Sequence, residues 1–425
     1  MSHTIPDDPR LDPLQLAIPP TESPFLERFL ETAELSGADR ALMREFAVKG
    51  YVVVDTAIED FDELSARVIE DLAPHYPEGV HRRIGEAWYF SDGVRRIATA
   101  PKILATLRTL YQRRPIPFQT LNFDRGTQQP AHSDTLHFHC VPRRYMCGAW
   151  VALEDIHADS GPLVVYPGSH TLPDFDMHDL GLALGPEHYV EYEHLVGEIA
   201  RAKGFEEVAV TPRKGQAILW AANLLHGGMA VRDAARTRQS QVTHYYFEDG
   251  LYYFPMSSDP YMKSLCMREV LDLATGVFVA HRYRGAELDL EDFFEVWTYP
   301  RPLPDWVDAS SRARATPPEP AKPPDPSAER LQARVRILED TVASQRAEAG
   351  ELRAIVADRQ SGVDALQRAV DGMIAEADAH RAIIADRAAE LAKAQDALRE
   401  ILASRSFKLA HGLTKTLGRL RPGKR

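Results

Sequence analysis

Potential ligands are densest in the stretch Ala131-His132-Ser133-Asp134-Thr135-Leu136-His137-Phe138-His139. Alternate side chains of a strand face the same side, so a strand here would project His132 and Asp134 together. An imidazole and a carboxylate side by side supply two of the three ligands of a 2-His-1-carboxylate iron centre. The third ligand must come from elsewhere, and His226 in Leu224-Leu225-His226-Gly227-Gly228 is the best candidate. It follows the apolar run Ala217-Ile218-Leu219-Trp220 and precedes glycines that permit close approach. An H-x-D tripeptide arises often by chance, and a histidine in an apolar run is commonly a core residue. Arg238, 12 residues after His226, adds weight. A guanidinium there can clamp a dicarboxylate with two parallel charge-assisted hydrogen bonds. For an iron centre with open positions, the natural dicarboxylate is 2-oxoglutarate.

These residues need a rigid frame. Residues 25–49 carry Phe25, Phe29, Leu30, Leu42 and Phe46 at helical spacing, and Tyr51-Val52-Val53-Val54 reads as a buried strand. Short β-branched or aromatic runs then alternate with turn signals at 118–123, 146–153, 162–166, 207–211, 216–220 and 240–247. Many short strands at this spacing predict an antiparallel sandwich or barrel with helices packed outside it.

The sequence resembles the phytanoyl-CoA dioxygenase (PhyH) family of Fe(II)- and 2-oxoglutarate-dependent oxygenases. The resemblance covers about residues 41–250. It is carried by Phe46-Ala47-Val48-Lys49-Gly50-Tyr51-Val52-Val53-Val54, by His132-Ser133-Asp134, and by Gly148-Ala149-Trp150-Val151-Ala152-Leu153. Ser160-Gly161-Pro162-Leu163-Val164-Val165-Tyr166-Pro167-Gly168-Ser169-His170, then His226-Gly227-Gly228, Arg238 and His244-Tyr245, follow in the family's order. It implies a mainly β, double-stranded β-helix (jelly-roll, cupin-like) domain with flanking helices. It also implies His132, Asp134 and His226 as iron ligands, Arg238 on the distal carboxylate of 2-oxoglutarate, and Trp150 lining the cosubstrate. Asn122, on the strand before the metal motif, is a further cosubstrate contact in this reading. With Fe(II), 2-oxoglutarate and dioxygen, the implied reaction is hydroxylation of an unactivated carbon. A carboxylate at Asp134 favours that outcome over halogenation, while desaturation, epimerisation and ring closure stay open. Two departures from the family pattern stand out. Position 228 is glycine where serine is common, and the His226-to-Arg238 spacing is one residue long, which makes Arg236 a rival to Arg238.

The neighbours of the motif have their own readings. His137 and His139 have the opposite strand parity from His132 and should point away from the metal unless a bulge intervenes. His170 is either a mouth residue or a turn residue. Cys140 and Cys147 read as ordinary buried thiols. Arg82, Arg83, Arg143 and Arg144 could recognise an anionic substrate, although a charge run is usually a solvated face. Two other classes remain: a non-catalytic coiled-coil scaffold with a degenerate oxygenase fold, and a metal-dependent hydrolase or isomerase of cupin type that uses the same histidines.

The 425 residues divide by composition into an oxygenase domain (1–299), a Pro-rich linker (300–327), a coiled coil (328–402) and a basic amphipathic tail (403–425). Nine prolines fall between 300 and 327. Beyond them, Val335, Val342, Ala349, Val356, Val363, Val370, Ala377, Ile384, Leu391 and Leu398 recur every seventh residue, which predicts a coiled-coil homo-oligomer. The tail holds seven Lys and Arg, no acid, and apolar residues on one helical face, the pattern of peripheral contact with an anionic membrane. Its Ser404-Arg405-Ser406-Phe407-Lys408-Leu409 resembles a terminal motif of bacterial surface-polysaccharide enzymes, so a surface-glycan component or precursor is the suggested substrate. An acyl thioester or small metabolite is the alternative, and the partner is a small-molecule or carrier-linked substrate in either case. Residues 1–299 carry 28 bases against 44 acids, which excludes a wrapped nucleic acid. Three cysteines, with neither a secretory signal nor a long apolar run, predict a cytoplasmic protein, peripheral at the inner membrane face if the tail binds there.

Overall fold

The computed structural model describes residues 16–77, 83–262, 264–290, 293, 295–315, 372, 377–404 and 409. The chain forms two compact units, 1–319 and 320–425.

The first unit opens with two helices, α1 (Leu26–Thr32) and α2 (Gly37–Lys49). The helical spacing of 25–49 is therefore split: Ser36 caps α2 by accepting a hydrogen bond from the Asp39 amide, which starts a new helix. Strand β1 (Tyr51–Asp55) follows, then α3 (Phe61–Leu72), β2 (Arg83–Gly85), α4 (Asp92–Ala98), α5 (Pro101–Tyr111) and β3 (Pro115–Phe123). Next come β4 (His139–Val141), β5 (Met146–Ala152), β6 (Leu163–Val165), α6 (Tyr189–Lys203), β7 (Val208–Val210), β8 (Gln216–Ala221), β9 (His226–Gly228) and β10 (Ser240–Phe247). Each run read as a strand between 51 and 247 is one. The three-residue β9 was not anticipated, because its two glycines carry no β signal.

Six strands form the major sheet in the order β1-β8-β5-β10-β3-β2, and β7-β6-β9 form a minor sheet. All pairings within both are antiparallel. Side-chain alternation divides the core. Cys147, Ala149, Val151, Ala217, Leu219, Ala221 and Tyr245 point outward and pack with Met43, Phe46, Leu107 and Tyr111 of the helices. Trp150, Ala152, Ile218, Trp220 and Val242 point inward and meet Leu163 and Val165 of the minor sheet. Two facing antiparallel sheets with helices on one outer face are the expected sandwich, and the site lies between the sheets.

After β10 the chain adds β11 (Leu251–Tyr253) and β12 (Cys266–Arg268), which join β4 and the strand Glu295–Trp297 in a separate four-stranded sheet. The linker expected from residue 300 does not begin there. Val307 and Ser311 are buried, Leu303 and Trp306 pack on the main core, and Tyr89 donates a hydrogen bond to the Pro300 carbonyl. Prolines fix the backbone without preventing burial, so composition alone misplaced this edge. Residues 316–327 lie outside the described residues, as do 328–371 of the expected coiled coil and all but three residues of the tail. Residues 377–403 form a helix. Among the described residues, no helix is long and apolar enough to cross a membrane.

Gly50 joins α2 to β1. It ends the helix in the left-handed region (φ 79°), and its amide donates to the Phe46 carbonyl. His170 lies directly over it, so a Cβ at position 50 would come within 2.5 Å of the ring. His170 is thus a buried turn residue whose Nε2 meets the Ala47 carbonyl, rather than a residue of the mouth. Gly50→Ala combines strain with overpacking and should cost about 3 kcal/mol in chemical denaturation. A loss well below 1 kcal/mol would show that this junction is not tightly packed.

Candidate metal centre and the cavity around it

The backbone brings the candidate ligands together. His132 and His226 exchange both amide-to-carbonyl hydrogen bonds, at 2.9 and 3.0 Å, as an isolated antiparallel bridge at the edge of β9. Residues paired in this way put their side chains on one face, and the two imidazole centroids are 4.4 Å apart. Asp134 reaches the same place by a different route from the one expected. It opens a 3₁₀ turn, Asp134–Leu136, with its amide on the Ala222 carbonyl, so 132–139 is not a continuous strand. Ligand atoms of His132, Asp134 and His226 all lie within 4.8 Å of one another, and all three residues are buried.

Hydrogen bonds fix the donor atoms. His132 Nδ1 is 2.9 Å from the Pro130 carbonyl and His226 Nδ1 is 3.0 Å from the Leu224 carbonyl. A carbonyl only accepts, so each Nδ1 carries the proton and each Nε2 keeps its lone pair free for a metal. Burial pushes both imidazoles down to about 4, so both are neutral at physiological pH. The Trp220 indole donates to Asp134 Oδ2 at 2.8 Å, while Oδ1 lies 3.9 Å from His226 Nε2. Two neutral imidazole nitrogens and one oriented carboxylate suit Fe(II), and the donor set fits that metal.

Arg238 enters the same cavity just ahead of β10. It is 2% exposed, donates from Nη1 to the Gly161 carbonyl at 2.9 Å, and lies 5.7 Å from the centroids of both Phe123 and Trp150. Its Nε has no hydrogen-bond partner among the described residues. Burial lowers its pKa to about 10, which leaves it cationic. Such a group fits a carboxylate. The rival Arg236 is half exposed and paired with Asp233. Near Gly228, Thr127 Oγ1 lies 3.2 Å from where a Cβ would stand, which crowds the place a serine would take.

The cavity is about 570 Å³ and is lined by the triad, Arg238 and Trp150 among others. Asn122 does not line it. Leu121 and Phe123 of β3 face the cavity, so Asn122 faces the opposite side, where it bonds Gln241 in the outer layer. His137 does line it, because the 3₁₀ turn breaks the strand parity that should have turned it away. His139 points elsewhere, 3.5 Å from Asp174. Arg144 is structural, bonding Glu22 and the carbonyls of His170 and Leu172. Arg143 lines a different pocket, Arg83 is an exposed residue at the cavity, and Arg82 lies outside the described residues. Cys140 and Cys147 are free and buried, as expected. Cavity residues with no assigned role in the sequence reading include Trp220, His244 and Arg268. For Trp220, the signal was a tryptophan on the inward face of a strand opposite a glycine.

The model for phytanoyl-CoA dioxygenase (PhyH) matches residues 26–240, just over half of the chain. The chain belongs to the PhyH family. A phytanoyl-CoA dioxygenase domain-containing protein 1 from Mus musculus is 32% identical over 100 residues, 22% of this chain and 34% of that protein. A peroxisomal phytanoyl-CoA dioxygenase from Bos taurus is 24% identical over 209 residues, 47% of this chain and 53% of that protein. The chain thus spans a third to a half of the curated relatives it matches. Among solved structures, the non-heme alpha ketoglutarate dependent epimerase SnoN from nogalamycin biosynthesis is similar, with 23% identity and a TM-score of 0.41 over 52% of this chain and 86% of SnoN. EctD from S. alaskensis with 2-oxoglutarate and 5-hydroxyectoine gives 20% identity and 0.38, over 53% and 81%. The triad and Arg238 fall inside the PhyH match, whereas β11, β12 and Arg268 lie beyond it.

Trp220 lies so close over Gly148 that a Cβ there would come within 2.2 Å of the indole, so Gly148 lets the indole reach Asp134. Trp220→Phe keeps the packing and removes the hydrogen bond. It should weaken Mn(II) binding about tenfold by calorimetry. An unchanged affinity would mean that the indole does not orient the carboxylate.

Proposed function

We propose that this chain is an Fe(II)- and 2-oxoglutarate-dependent dioxygenase that hydroxylates an unactivated carbon of a small-molecule or carrier-linked substrate. The observation that carries the reading is one cavity holding the buried His132, Asp134 and His226 together with Arg238, whose Nε has no hydrogen-bond partner among the described residues. His132 and His226 would bind iron through Nε2 and Asp134 through a carboxylate oxygen, leaving one face for 2-oxoglutarate and dioxygen. Fe(II) with these two cosubstrates supplies oxidative decarboxylation coupled to hydroxylation of carbon.

The protein contributes positioning and exclusion of water. Arg238 holds the distal carboxylate of 2-oxoglutarate, and the Gly161 carbonyl holds Arg238. Trp150 and Phe123 wall that end with apolar surface, where a charge-assisted bond is stronger than in water. Trp220 keeps one oxygen of Asp134 occupied and so fixes how the other presents itself. The direct test is succinate release from 2-oxoglutarate with Fe(II), oxygen and fractionated cell extract. Asp134→Ala should abolish it, and Arg238→Met should raise the KM for 2-oxoglutarate about 100-fold. An Arg238→Met variant with an unchanged KM would remove the arginine from the site.

We also propose that the helix 377–403 pairs with a second copy of itself. Ile384, Leu391 and Leu398 are 67%, 59% and 55% exposed at seven-residue spacing, a stripe that a parallel partner would bury. Polar neighbours such as Arg387 and Glu390 pair along the helix instead. Sedimentation equilibrium of the full chain should give a dimer, and replacing the three residues by Asp should give a monomer. A wild-type monomer at micromolar concentration would contradict the pairing.

A further inference from the structure

Arg268, on β12, is a second guanidinium in the same cavity, and the centre described above gives it no task. It is 1% exposed and lines the cavity. Neither its Nε nor its Nη2 has a hydrogen-bond partner among the described residues. Those two nitrogens form one edge of the guanidinium, the edge that accepts a carboxylate bidentately. Arg44 uses the same pair of atoms on Glu27 at the surface of this protein. Burying a charge without hydrogen bonds is costly and calls for a reason.

The surroundings of the guanidinium are mostly aromatic, with one carboxylate within ion-pair range. The guanidinium carbon lies 4.1–5.9 Å from the ring centroids of Trp297, Phe118, Phe254, Phe138 and Tyr299. Glu86 makes a long ion pair, its Oε1 3.8 Å from Nη2 and beyond hydrogen-bond distance, so neither atom has a hydrogen-bond partner among the described residues. Its Oε2 is engaged by the Trp88 indole and the Thr120 amide. Burial raises Glu86 to about 7, against the pull of Arg268. Glu295, the other carboxylate on that side, is exposed where it lines the cavity.

Charge and position agree. Fe(II), Asp134, Arg238 and the 2-oxoglutarate dianion would sum to zero, which leaves Arg268 facing, among the described residues, only Glu86, at 3.8 Å and without a hydrogen bond. Arg238 rests near Phe123 and Trp150, whereas Arg268 rests near Phe118, Phe138 and Trp297, so the two guanidinium groups have different neighbours in one cavity. Phe138, against Arg268, packs on His244, whose Nε2 is 3.7 Å from Asp134. One cavity therefore holds two buried guanidinium groups with open hydrogen-bonding edges together with the metal ligands.

We propose that Arg268 binds an acidic group of the primary substrate, and that the substrate is a carboxylate-bearing molecule whose body packs on the aromatic rings around that arginine. The proposal rests on the dioxygenase reading only in assigning Arg238 to 2-oxoglutarate. It makes Arg268 a specificity residue supplied by the part of the domain beyond the PhyH match.

The test uses full-length, Mn(II)-loaded protein with saturating 2-oxoglutarate, titrated with acid and amide pairs of nearly equal size. The probes are 3-phenylpropionate against 3-phenylpropionamide, and glucuronate against glucuronamide. At least one acid should bind tenfold or more tightly than its amide. Arg268→Met should abolish that preference while leaving the affinity for 2-oxoglutarate within twofold. Arg268→Lys, which keeps the charge but loses the fork, should retain a reduced preference and covers the case in which the Met variant does not fold. No acid preference in either pair, or a preference that survives both substitutions at full strength, overturns the proposal. Failure of the wild-type protein to bind 2-oxoglutarate would instead overturn the underlying dioxygenase reading, and the two failures are read in separate titrations.

Discussion

The centre depends on a single backbone pairing, the bridge between His132 and His226. Two amide-to-carbonyl hydrogen bonds lock residues 94 positions apart into register, and the register alone puts both imidazoles on one face. Asp134 follows because the chain turns immediately after the bridge and is tied back to Ala222. Gly227, next to the bridge, lies so close to the chain at Gln129 that a Cβ would meet its carbonyl at 2.7 Å. The glycines after His226 are therefore a packing requirement of the pairing, and the rest of the sandwich serves to hold the two edges that pair.

A second constraint is electrostatic. The cavity holds four histidines, an aspartate and two arginines in largely buried positions. Burial above all keeps His132 and His226 neutral and leaves Arg238 cationic, so the site combines free lone pairs with guanidinium groups. Such a distribution favours a divalent metal together with anions. Apolar rings of the major sheet, Phe123, Trp150 and Trp220, line the cavity and raise the value of each charge-assisted bond.

Much of this was legible in the sequence. β-branched runs announced the strands because packing between two sheets demands those residues, and the ligand types announced the metal. What was not legible depended on contacts made far along the chain. The parity argument for His132 and Asp134 reached the right pair through the wrong geometry, since a 3₁₀ turn, not a strand, presents Asp134; the same turn brings His137 into the cavity. Asn122 was misassigned because alternation says which residues share a face, not which face is the cavity. Residues 300–315 looked like linker by composition, yet Trp306 and Val307 had a core to join. Arg268 carries no motif, and its aromatic surroundings are drawn from positions 118 to 299, so only the folded chain assembles them.

The central claim is that the bridged histidines and Asp134 hold a metal that in turn recruits 2-oxoglutarate. Anaerobic calorimetric titration of 2-oxoglutarate into the full chain, with and without Fe(II), tests it most directly. The account predicts one 2-oxoglutarate per chain, bound at least tenfold more tightly when Fe(II) is present, with that gain lost in Asp134→Ala. Binding that is absent, or that is equally tight without metal and in the variant, would contradict it.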